Sequence, residues 1–130
     1  MNIFVTDPDP VKSARVLPDK HIVKMPLETC QMLSIVCSLK WGHGFGTIPK
    51  ADGQPYKTTT GAFRNHPCTI WANSFVNNWR WLLAHGFAMC DEYALRYGKP
   101  HTCFNTLQAA NEILPCADPQ GRSGKGPTPF

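Results

Sequence analysis

Pro18-Asp19-Lys20-His21-Ile22-Val23-Lys24-Met25-Pro26-Leu27-Glu28-Thr29-Cys30-Gln31-Met32-Leu33-Ser34-Ile35-Val36-Cys37 is the stretch from which the rest of the chain is read. Apolar residues recur through Ile22, Met25, Cys30, Leu33 and Val36 or Cys37 at helical spacing. Pro18 suits a first helical position and Asp19 complements the positive end of the helix dipole, so the stretch predicts a first helix. Pro26 removes one backbone hydrogen bond inside it, which predicts a kink or a restart there. On a wheel of about 100° per residue with His21 at zero, Lys24 falls at about 300°, Glu28 at about 340° and Gln31 at about 280°. These four polar residues share one narrow face, Met32 and Ile35 lie on or beside it, and the opposite side is apolar. Such a stripe fits the wall of a partly enclosed cleft.

Toward the N-terminus, Ile3-Phe4-Val5 is long enough only for a tether, and Asp7-Pro8-Asp9-Pro10 predicts a turn because each proline disfavours helix in its predecessor. No basic segment precedes an apolar one as in a secretory leader, and no apolar run approaches the roughly 20 residues of a membrane span. The expected location is the cytoplasm, with no membrane contact. Toward the C-terminus, residues 41–67 hold Gly42, Gly44, Gly46, Gly53 and Gly61 and the polar run Tyr56-Lys57-Thr58-Thr59-Thr60. They predict a long loop, and a loop of that length in a compact domain tends to be functional; Asp52-Gly53 suits a small hairpin within it. Asn65 as cap and Pro67 in the first turn then open the longest helical pattern, which runs to Gly98-Lys99-Pro100. Gly86 inside it bends or splits that helix or lets another approach closely. A third helix, capped by Thr102, buries Phe104, Leu107 and Ile113 or Leu114. The chain of 130 residues has room for one core. The expectation is a mainly α fold, a single-domain three-helix arrangement over residues 1–116 with a long Gly-rich loop between helices one and two, followed by a flexible Gly/Pro-rich tail over 117–130.

The net charge of +4 permits a polyanionic partner without demanding one. Six cysteines are scattered through apolar patterns with no CxxC pair, and none of the five histidines sits in an HExxH or HxxxH spacing. They read as reduced core thiols, with no metal site and no cofactor.

Glu28 is the first candidate for chemistry. Apolar surroundings favour the acid form of a carboxyl and a nearby ammonium the anion, and such opposed pressures suit acid/base work. The plain alternative is a Lys24–Glu28 surface ion pair worth a few tenths of a kcal/mol, with His21 an ordinary histidine. Arg64, Asn65 and His66 stand where free N–H groups at a helix start attract an anion such as phosphate, and Lys57 with its threonines adds donors. Against that, Asn65 serves equally as a cap and Arg64 as a solvated charge. Of the four tryptophans, Trp41 and Trp81 are the candidates for a base-stacking platform and the other two read as core.

Asp19-Lys20-His21 followed by Glu28, then Asn65-His66-Pro67-Cys68 ahead of a long aromatic helix, resembles a family of small tailed-phage proteins with DKH…E and NHPC blocks. More distantly, the first-helix histidine and glutamate and the all-helical layout are similar to the phage pyrimidine-dimer DNA glycosylase, the endonuclease V type. That resemblance implies a phage protein in the cytoplasm of an infected bacterium, directed at DNA or a nucleotide. It makes Glu28 the catalytic carboxylate, His21 its companion and His66 a phosphate or sugar contact, with Lys24, Gln31, Arg64, Asn65 and Lys57 around them. In the resembled family the α-amine exposed after removal of Met attacks the sugar C1′ and forms a Schiff base. Here Asn2 is bulky enough that Met1 is expected to stay, and Leu27 stands where that family has an arginine. The alternative is a non-enzymatic phage protein that binds a nucleotide-like ligand or a host protein.

Overall fold

The computed structural model describes residues 3–115. Among them lie five α-helices: α1 (Pro10–Arg15), α2 (Asp19–Cys37), α3 (Pro67–Ser74), α4 (Val76–Tyr97) and α5 (Phe104–Ile113). They contain no β-strand, only a bridge between Pro49 and Pro55. The fold is mainly α, with five helices in place of the three expected. The tail over 117–130 and the first two residues lie outside the described part. No described helix is long and apolar enough to cross a membrane.

Two differences account for the extra helices. First, the expected turn at Asp7–Pro10 is the start of α1: Asp9 caps it by accepting from Val11 and Lys12 N–H, with Pro10 in its first turn. Six residues are too few for a helix to hold itself in water, so packing must hold it. It lies along α4, and Ser13, fully buried, donates to the Phe4 carbonyl at 2.9 Å. Second, the long helix expected from Pro67 to Gly98 is broken at Phe75, whose φ of −140° and ψ of 150° are extended. Side chains take over the carbonyls there. Asn78, fully buried, donates to the Trp71 carbonyl at 2.8 Å, and the His43 ring lies 2.6 Å from the Asn73 carbonyl.

α2 runs without a restart through Pro26, which is buried inside it. Its C-terminal carbonyls are met by the chain that follows: His43 N–H bonds the Val36 carbonyl at 2.8 Å and Gly46 N–H the Cys37 carbonyl at 3.1 Å. That return brings Gly42 so close that a Cβ there would stand 1.9 Å from the Ile35 carbonyl oxygen. Segment 38–66 contains no α-helix. It holds a 3-10 turn, Lys57–Thr60, and a tight return in which Gly53 N–H bonds the Lys50 carbonyl at 2.9 Å.

α2 and α4 form the spine. Leu33, Val36, Leu82, Leu83 and Leu107 centre the larger apolar cluster, and Leu17, Ile22, Met25 and Met89 a smaller one covered by Phe4 and Tyr93. Each such side chain contributes about 1.5–3 kcal/mol when fully removed from water.

Candidate functional site

The polar stripe on α2 is divided among unlike surroundings. Glu28 is buried, 7% exposed, a costly place for a carboxylate. His21 is half-buried and stacks on Phe4 with ring centroids 4.4 Å apart, while its Nδ1 is buried without a hydrogen-bond partner. Lys24 is exposed and Gln31 half-buried.

Beside this stripe, α2, the 50–58 loop and the start of α5 enclose a cavity of about 460 Å³. Leu27 and Gln31 form one wall, Tyr56, Thr58 and Thr106 the floor, and Lys50, Asp52, Lys57 and Phe63 also line it. Ser34 hydrogen-bonds Thr58, and Thr106 donates to the Pro49 carbonyl at 2.7 Å, so the loop is fastened to both helices. An adjoining groove shares Leu27, Thr102 and Cys103 with the cavity and adds Lys24 and His101. The structure thus brings Gln31 and Lys57 to one cavity and Lys24 to its neighbour, and Glu28 lines neither.

The second expected cluster is also redistributed. Arg64 lies over the Trp41 ring at 4.2 Å and donates to the Gly61 carbonyl at 3.1 Å, and Lys40 Nζ is 4.9 Å from the same ring. The cap of α3 is His66, not Asn65: its Nδ1 accepts from Cys68 N–H at 3.1 Å, which leaves Nε2 as the ring's donor. Asn65 is exposed. Trp81 is no stacking platform. It is buried at 5% exposure and donates Nε1–H to the Pro8 carbonyl at 2.8 Å. The cap expected of Thr102 likewise falls elsewhere, since Cys103 is the first flanking residue of α5 and its N–H is accepted by His101 Nδ1 at 3.0 Å.

Three residues of this region had no signal in the spacing. Phe63 has a left-handed backbone, φ 64°, and its ring is 57% exposed at the rim of the cavity. A phenylalanine in that conformation is costly and unusual, and the Trp41–Arg64 stack with its bond to Gly61 holds the turn. Cys103 and His101 sit where cavity and groove meet. The Cys30 thiol is the main influence lowering that of Cys103, against its burial and with help from His101. Burial alone pushes Cys37 up to about 12, and burial with the nearby Cys103 and Asp91 does the same to Cys90. Among the described residues no group of three or more His, Cys, Asp or Glu side chains is arranged to hold a metal ion.

A family model described as pyrimidine dimer DNA glycosylase matches residues 1–105, a span that includes α2, the whole loop, α3 and α4. No curated protein and no solved structure matches the chain significantly.

Proposed function

The chain belongs to the pyrimidine dimer DNA glycosylase family, and from that premise we propose that it cleaves the N-glycosidic bond of a damaged or modified base in DNA. The observation that carries the reading is Glu28, the glutamate of the DKH…E block, held buried on α2 inside the matched span. In this reading the C1′–N bond breaks, the electron pair leaves with the base, and the Glu28 carboxylate stabilises the positive charge that develops on the sugar or manages the proton. His21 orders the same end of α2 through its stack on Phe4.

Lys24, Gln31, Lys50 and Lys57 supply donors and positive charge along the cavity and groove. His66 offers Nε2–H at the start of α3, and Arg64 a guanidinium already flattened on Trp41, both suited to backbone phosphates. Phe63 presents a ring on which a base can stack.

The test is base release from ultraviolet-damaged duplex DNA by the wild type and by Glu28→Gln. Release is expected to fall at least about a hundredfold with an unchanged melting temperature. Undiminished release removes Glu28 from the reaction. Borohydride trapping in the same assay identifies the nucleophile: a covalent adduct at the α-amine assigns it to the chain, and release without an adduct assigns it to water. If the wild type binds nucleotides or DNA without release, and Glu28→Gln binds equally, the protein is a binder of nucleotide-like ligands.

A further inference from the structure

Among the described residues, Phe63 is the one non-glycine with a positive φ. A left-handed backbone is unfavourable for a bulky side chain and an apolar ring gains nothing from water, yet both occur at this position. Phe75 is as exposed, at 58%, but its backbone is extended and relaxed. A single exposed apolar side chain needs no explanation; one held out against backbone strain does.

The turn that carries Phe63 is braced on several sides. Gly61, left-handed at φ 102°, lies so close to Trp41 that a Cβ would stand 2.7 Å from the indole nitrogen. Arg64 lies over the same ring at 4.2 Å and donates to the Gly61 carbonyl twice, from its side chain at 3.1 Å and its backbone N–H at 3.2 Å. His66 N–H bonds the Phe63 carbonyl at 3.1 Å, which joins the turn to the cap of α3. Trp41 is pinned in its turn: its carbonyl accepts from Asn73 Nδ2 at 3.0 Å and its N–H donates to Ser38 Oγ at 3.1 Å. The brace fixes the backbone of residue 63 and leaves the residue 57% exposed.

The charge around this tip is mostly of one sign. Lys50 and Lys57 line the cavity with Phe63, and Asp52 is the one acid in that lining. Lys40 and Arg64 both approach the Trp41 ring. Cations set around a rigid aromatic tip match a polyanion whose interior is a stack of rings. We propose that Phe63 is a wedge that enters duplex DNA between neighbouring base pairs, at a step whose stacking is already weakened, while the cations around it hold the flanking phosphates.

The inference rests on the reading of the chain as DNA-directed and deepens it, because it names distorted duplex as what the loop selects. Parting an intact step costs stacking that an inserted ring restores only in part, whereas a damaged step has lost some of that stacking beforehand. The ring is ordered in advance by its brace, so it gives up little freedom on insertion.

The experiment is the fluorescence of duplex DNA carrying 2-aminopurine in the base pair next to a thymine dimer, with the same duplex lacking the dimer as control. Stacking quenches 2-aminopurine, so wild-type protein is expected to raise its emission severalfold on the damaged duplex and little on the intact one. Phe63→Asn keeps a residue that tolerates the left-handed backbone and removes the ring. It is expected to abolish the rise and to bind the damaged duplex about tenfold to a hundredfold more weakly in fluorescence anisotropy. Phe63→Leu, apolar and able to insert, is expected to restore part of both. A wild type that binds the damaged duplex without a rise, that prefers neither duplex or that binds neither overturns the proposal, as does a Phe63→Asn variant that behaves like the wild type. The wild-type measurements decide even where that variant fails to fold. Base release is scored in the same samples: a rise without release keeps the wedge and sinks the glycosylase reading, and release without a rise does the reverse.

Discussion

The two long helices are covered differently on their two flanks. On one flank, residues 3–17 lie across α4 and the N-terminal half of α2 as a strap that leaves few polar groups unmatched. Trp81 donates to the Pro8 carbonyl, His85 Nδ1 lies 3.0 Å from the Pro10 carbonyl, and Arg96 reaches the carbonyls of Arg15 and Leu17 at 3.1 and 2.8 Å together with Asp19 and Glu92. On the other flank the cover is the 38–66 loop, fastened at Ser34–Thr58 and Thr106–Pro49 but lifted between them. The cavity opens there, lined by the loop's own Lys50, Lys57 and strained, exposed Phe63 and by Cys103 of the segment that leads into α5. A short strap can match backbone carbonyls to the polar tips beneath it. A long loop closes only where it is tied, and chemistry collects in what it leaves open.

The largest blow to this division is at the seam beneath the loop flank. A Cβ on Gly86 of α4 would stand 2.9 Å from Thr29 Cγ2 of α2 and 3.1 Å from Leu107 Cδ2 of α5. Gly86→Val is expected to force the helices apart and lower stability by about 2–3 kcal/mol in urea unfolding. A neutral result would mean that the spine is slack.

A middle-sized effect belongs to the strap. Burial lowers the His85 imidazole below its ordinary value of 6.5, opposed by the bond to Pro10. A depressed pKa in the fold means that the unfolded chain takes up the proton first, so the stability it contributes is complete above about pH 6.5 and drains as pH falls through the folded value. The melting temperature is expected to drop between pH 7 and pH 5, and less steeply in His85→Gln. His101, raised by Cys103 and Val23 against its burial, titrates in both proteins, so the difference between the two curves isolates His85. Equal slopes would show that the strap does not exclude the proton.

The smallest stability effect is predicted on the loop flank. Phe63→Gly removes a left-handed phenylalanine costing about 1–2 kcal/mol but frees the unfolded chain, so stability is expected to stay within about 1 kcal/mol. Duplex DNA binding, measured by fluorescence anisotropy, is expected to weaken by about 1–3 kcal/mol through the lost stacking face. A large loss of stability with unchanged binding would make that flank structural like the other.

Much is legible in the order of residues alone. Periodicity and Pro18-Asp19 place the first helix within a residue of α2, the glycine and threonine run marks the segment without α-helix, and helical spacing puts Trp71 and Trp79 in the core. Gly86 allows a bend, a split or a close approach; α4 runs unsplit through it, and Thr29 and Leu107 approach it closely. These features depend on neighbours within a turn or two, and such information lies in the local order of residues.

What tertiary structure alone decided involves partners far apart in the chain. α1 exists because α4 lies under it, and the break at Phe75 exists because Asn78 and His43 offer its carbonyls other donors. The wheel could place His21, Lys24, Glu28 and Gln31 on one face but not say which would be buried, since burial depends on what is packed against that face. The cavity, the exposed Phe63 and the gathering of Cys30 and Cys103, 73 positions apart, into one apolar cluster follow from the same long-range packing. Composition and spacing carry no trace of such contacts. They form only when the chain has paid the entropy of bringing distant segments together.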